Sequence, residues 1–123
     1  MNELTISPER LEQVRRICLA LPEAHEKEAW GDPTWRVKDK IFVMQKGNYK
    51  GGRPSLWMKA QEGLQSVLVE AGPDRFFIPP YVGHKGWIGL WMDTQTVDWD
   101  EFAGLAADSY RLTAPKKLAA LLG

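Results

Sequence analysis

Leu11, Val14, Ile17, Cys18 and Leu21 fall three or four positions apart, so the first segment reads as a helix with one apolar stripe. Ser7-Pro8 supplies its start, serine as N-cap and proline at the first helical position. Glu9 lies near the positive end of the dipole, and Leu21-Pro22 ends the helix. The pattern then shortens toward a period of two. "HEKEAW" alternates weakly, Gly31-Asp32-Pro33 reads as a turn, and "TWRVKD" alternates again. "KIFVMQK" follows a short Asp39-Lys40 connection. "NYKGGRP" has the glycines of a hairpin tip inside a loop over 46–54, and "SLWMKA" returns as a strand. Helical spacing resumes through Leu64, Val67, Leu68 and Ala71 and stops at Gly72-Pro73.

The second half repeats the alternation on a smaller scale. "RFFIPP" is a short strand stopped by its prolines. In "GWIGLWMD", Trp87, Gly89 and Trp91 fall on one face of a strand and Ile88, Leu90 and Met92 on the other. Asp98 is the expected N-cap of a long helix, with Phe102, Leu105, Ala106 and Ser109 on its buried side. Thr113 and Pro115 suggest a further cap and a short closing helix. The expected order is α-β-β-β-α-β-β-α-α, with room for a fourth strand before the second helix. Hairpins separated from helices indicate the α+β class: two layers, an antiparallel sheet with helices packed on one face. The 123 residues suit one domain spanning 1–123.

Composition narrows the possible functions. An apolar fraction of 44% and a charged fraction of 26% are those of a folded, water-soluble protein. No apolar run approaches the length of a membrane span, and "MNELTISPER" lacks the layout of a signal peptide. With the single cysteine Cys18, no internal disulfide can form, and a cytoplasmic location is expected. At helical spacing in an apolar stripe, Cys18 is a small core residue rather than a nucleophile. His25 and His84 stand far apart with no metal-ligand spacing around them, and there is no GxSxG. "KGNYKGG" lacks the Gly-Lys-Ser/Thr ending of a phosphate loop. Glu26, Glu28 and Asp32 read as a solvated strand edge. No cofactor, metal or enzymatic activity is therefore expected.

Charge is balanced overall, sixteen basic against sixteen acidic residues, but unevenly placed. Residues 34–60 hold Arg36, Lys38, Lys40, Lys46, Lys50, Arg53 and Lys59 against Asp39 alone, a local net of +6, and each flank carries −3. Such asymmetry can guide an anionic partner. Six tryptophans call for a reason beyond charge. Most would fill the shallow core of a two-layer domain, while Trp57, with Tyr49, could stack a base.

Taken together, "LALPEAHEKEAWGDPTWRV", "KIFVMQK", "PPYVGHKGWIGLWMD" and "DWDEFAGLAADSYRLTAPKKLA" resemble, in order and spacing, the MmcQ/YjbR-like proteins over nearly the whole chain. The resemblance implies a fold similar to CyaY and the type III secretion chaperones. It also implies a hairpin arrangement like the double wing of a phage transcription-factor domain, for which such proteins are called DNA-binding. Many relatives carry a histidine directly before the late-strand tryptophan; here that place is Gly86, with His84 two positions earlier.

Three functions follow as expectations. The first is a non-enzymatic module binding DNA or other nucleic acid weakly. Arg36, Lys38, Lys46, Lys50, Arg53 and Lys59 would meet phosphates and Tyr49 or Trp57 would stack, so that binding falls steeply with salt. The second is a protein adaptor or homodimer using the tryptophan-rich sheet face. The third is a small-ligand cleft near Tyr81, His84, Lys85 and Trp87.

Overall fold

A computed structural model describes residues 6–49 and 53–123. In chain order the elements are α1 (Pro8–Leu19), β1 (His25–Ala29), β2 (Asp32–Val37), β3 (Lys40–Tyr49), β4 (Arg53–Met58), α2 (Leu64–Ala71), β5 (Phe76–Phe77), β6 (Ile88–Trp91), α3 (Trp99–Thr113) and α4 (Lys116–Ala119). The six strands form one antiparallel sheet in the order β1-β2-β3-β4-β6-β5, confirming the α+β class with four strands ahead of α2.

Turn chemistry explains the meander and corrects two boundaries. Ala29 pairs with Asp32, so Asp32 and Pro33 belong to β2 and the turn is Trp30-Gly31, with φ of 54° and 84°. Val37 pairs with Lys40 around Lys38-Asp39, with φ of 50° and 65°. Both are two-residue connections with positive φ at each position, the form whose twist matches the sheet. The β3–β4 hairpin is tighter than a 46–54 loop: β3 runs to Tyr49 and β4 begins at Arg53. Lys46 is therefore a strand residue, with an irregular register between Lys46 and Tyr49. Lys50, Gly51, Gly52 and the Tyr49 side chain lie outside the described residues.

The main core lies between the sheet and the helices. Val14 and Cys18 of α1 and Phe102, Leu105, Ala106 and Tyr110 of α3 meet Trp35, Val37, Phe42, Val43, Leu56, Met58, Ile88 and Leu90. A bulge opposite Trp35 and Arg36 lets both Phe42 and Val43 reach this core. Cys18 is wholly buried, and that burial pushes its thiol up, away from nucleophilic use. Ser7 caps α1, accepting from the Arg10 amide at 3.3 Å, and Asp98 caps α3, accepting from the Glu101 amide at 3.0 Å. Thr113 is not a cap: it ends α3, and its hydroxyl donates to the Ser109 carbonyl at 2.8 Å. In α2 the inward residues are Leu64, Leu68 and Val69, while Val67 is 58% exposed, one position off the expected stripe.

One contact ties the layers together. The Ser109 hydroxyl on α3 donates to the Phe42 carbonyl at 2.6 Å and accepts from the Lys59 amide at 2.9 Å. It satisfies backbone groups where β3 and β4 pass beneath the helix.

A candidate binding groove on the sheet

Alternation gives β3, β4 and β6 a second apolar face. Met44, Trp57 and Trp87 form a separate buried cluster there, with Ile41, Phe77 and Val82 packed against it, and none of these residues comes from a helix. The cluster's cover is the chain between β5 and β6. Phe77 lies edge-on to Trp57, with centroids 6.4 Å apart, and stacks on Trp91 at 4.1 Å. Gly89 makes room for it: a Cβ there would come within 2.3 Å of the Phe77 ring. The connection then folds back, and Gln65 of α2 holds it by donating to the carbonyls of Gly83 at 2.8 Å and Trp87 at 2.6 Å.

This cover stops short of β2 and β3 and leaves an open groove of about 570 Å³. Met44 and Trp57 form its floor, the Trp30 turn flanks it from one edge of the sheet, and Pro80, Tyr81 and Val82 flank it from the other. Trp57 is buried and set in orientation, its indole N–H donating at 3.0 Å to the Ser55 hydroxyl, which donates in turn to the Lys46 carbonyl at 3.1 Å. Lys46 enters the groove with its ammonium 4.8 Å from the Trp30 ring centre and 5.7 Å from that of Trp57. These are cation–π distances. Trp30 and Tyr81 are 77% and 87% exposed.

The other described basic candidates do not join Lys46. Arg36 donates to the Thr34 hydroxyl at 3.0 Å and lies 3.8 Å from Asp39, and Lys38 pairs with Glu23 at 2.8 Å. Arg53 grips Asp93 through two 2.8 Å hydrogen bonds and lies 3.9 Å over the Trp91 ring. That pairing holds the Asp93 carboxyl below the usual range. Lys59 follows the far end of β4, where its backbone amide donates to Ser109, and it does not line the groove. Of the described basic candidates, Lys46 alone lines the groove.

The third expected cleft divides in two. Tyr81 lines the groove and Trp87 is buried in the cluster beside it, whereas His84 and Lys85 line a different cavity of about 450 Å³ against Glu62, Gln65 and Ser66. Gly86 has φ of 89°, a backbone that suits glycine. Trp30, Met44, Pro80 and Val82 also line the groove, and the sequence pattern does not single them out as site residues. The one signal that could have singled out Trp30 is its place directly before Gly31, as the first residue of a two-residue turn. Among the described residues no three His, Cys, Asp or Glu side chains gather as a metal site, and no helix is long and apolar enough to cross a membrane.

Fold and site define a two-layer α+β domain whose sheet is sealed by helices on one face and left grooved on the other. The sequence model of the YjbR family matches residues 19–112, a stretch that holds the whole sheet and the groove, and the chain belongs to that family. Among solved structures it is similar to protein DR2400 of Deinococcus radiodurans, whose domain is designated DUF419. The two are 18% identical with a TM-score of 0.70, over 91% of this chain and 81% of that one. At that identity the likeness carries the fold alone. No curated protein matches the chain.

Proposed function

We propose that the protein is a non-enzymatic module that binds single-stranded nucleic acid weakly, through the groove rather than through the whole basic segment. The observation that carries this reading is the combination of Trp30, Trp57 and Tyr81 around one lysine in an open groove. Unpaired bases stack on aromatic side chains whatever their sequence, while a lysine meets the backbone. Arg36, Lys38 and Arg53 already face carboxylates, and of the described basic candidates Lys46 is the one that lines the groove. The salt dependence should therefore be shallow, with a log–log slope of roughly −0.7 for each phosphate contacted and only one or two contacts.

Fluorescence anisotropy with a labelled oligothymidylate and a duplex of equal length tests the proposal. Preference for the single strand, weakened several-fold by Lys46→Ala while the melting temperature holds, is the expected result. A protein that binds neither at low salt sinks it. The exposure of Trp30, Ile78 and Tyr81 supports a second reading, a protein adaptor or homodimer. Light scattering that finds self-association, abolished by Trp30→Gly, would favour that one.

A further inference from the structure

Two rings of the groove sit where both the local backbone and the surrounding water favour something else. Trp30 is the first residue of its turn, at φ 54°, a position that suits asparagine or glycine. Tyr81 is the central residue of a three-residue turn closed by the Val82 amide donating to the Pro80 carbonyl at 2.6 Å, with φ of 66°. A positive φ at that place is the strained form of the turn, and a bulky side chain tolerates it poorly. Burial offsets neither, since these are the most exposed large apolar side chains among the described residues. Leu112 and Leu121, exposed elsewhere, have ordinary helical or turn backbones; these two do not. They come from opposite edges of the sheet, are remote in sequence, and line one groove.

We infer that Trp30 and Tyr81 are the two jaws of the groove, which close on one flat unsaturated ring while Lys46 holds an anionic group attached to it. The ligand this describes is a nucleobase with its phosphate, a choice that rests on the nucleic-acid reading above. Lys46 sets the specificity. Its ammonium already fills the aromatic surroundings that would otherwise suit a cationic ligand, so the jaws accept ring anions and reject quaternary ammonium groups. The strained backbone at Tyr81 keeps its ring at the groove mouth instead of letting it collapse onto the floor.

Glycine adopts both backbone conformations freely, so Trp30→Gly and Tyr81→Gly separate the ring from the turn. The expected result is a melting temperature at or above wild type for Tyr81→Gly and close to wild type for Trp30→Gly. Affinity for oligothymidylate should fall about fivefold to a hundredfold in each. Tyr81→Phe should keep it, and an abasic strand of equal length should bind the wild type as weakly as oligothymidylate binds the variants. Glycine variants that bind like wild type overturn the inference, as does a melting temperature lowered as far as by truncating a core residue. If the wild type binds no oligonucleotide, the nucleic-acid reading falls. The jaws are then read by quenching of tryptophan fluorescence with a nucleoside monophosphate and with anilinonaphthalene sulfonate. Binding that both glycine variants lose upholds them; no binding, or binding that survives both substitutions, overturns them.

Discussion

On one face of the sheet, Trp35, Phe42, Leu56 and Ile88 are wholly buried beneath α1 and α3. On the other, Met44, Trp57 and Trp87 are buried beneath a single connecting segment, and the apolar surface runs on past its end into the groove. Both faces carry large apolar side chains, although the second also bears Thr34, Lys46 and Ser55. The difference lies in the cover. Helices seal the first face along its length, while the segment from Phe77 to Val82 seals only the β4–β6 side of the second. The first face therefore supplies stability, and the second has aromatic surface left over for a ligand.

Substitutions on the two faces should part accordingly. The largest effect belongs to the sealed face. Phe102 has no exposed surface and packs edge-on to Trp99, so Phe102→Ala should destabilise by about 3–5 kcal/mol in urea unfolding. A loss under about 1 kcal/mol would mean that α3 is not the main cover. Next comes Ser109→Ala, which strands the Lys59 amide and the Phe42 carbonyl under α3 and should cost about 1–3 kcal/mol in the same measurement. On the grooved face, Gly89→Ala drives a methyl into the Phe77 ring that covers the cluster. About 1–3 kcal/mol is expected, together with weaker ligand binding as the cover shifts. Loss of stability with binding intact would show that the cover and the groove are independent.

The same contrast marks what could be seen in the sequence. The alternation of Trp87, Gly89 and Trp91 against Ile88, Leu90 and Met92 placed each residue on its actual face, because a strand period survives even when both faces are buried. The stripes of α1 and α3 were equally clear. The turns depart from the sequence pattern where a bulky or cationic residue occupies a left-handed position, as Trp30 and Lys38 do, against the usual preference for glycine, asparagine and aspartate. Counting charge along residues 34–60 suggested one cationic surface. Folding instead gave Lys38 to Glu23 and Arg53 to Asp93, partners that local counting does not see. The groove is hidden for a similar reason: its flanks, the β1–β2 turn and the β5–β6 connection, are remote in sequence and stand at opposite edges of one sheet face.

The smallest expected effect is electrostatic and compares the seams of the two faces. On the sealed side, Glu26 accepts from Arg15 of α1 at 2.6 and 3.0 Å and from the Trp35 indole at 3.0 Å. On the grooved side, Asp93 accepts from Arg53. The arginine hydrogen bonds are the main reason that both carboxyls sit below their usual values. A depressed folded value contributes stability that is fully present above the unfolded one, about 4.3 for glutamate and 3.9 for aspartate, and is lost as pH falls through the folded value. Both pairs are partly open to solvent, so each should contribute under about 1 kcal/mol at neutral pH. Glu26→Gln should lower the melting temperature at neutral pH, and the gap to wild type should close in acid. Asp93→Asn should do the same to a smaller degree, because Arg53 is the more exposed of the two arginines and keeps its contact with Trp91. Equal or reversed losses, followed by thermal melts at several acid pH values, would show that the grooved face is clamped as firmly as the sealed one. The groove would then owe its openness to the reach of its cover and not to a weaker seam.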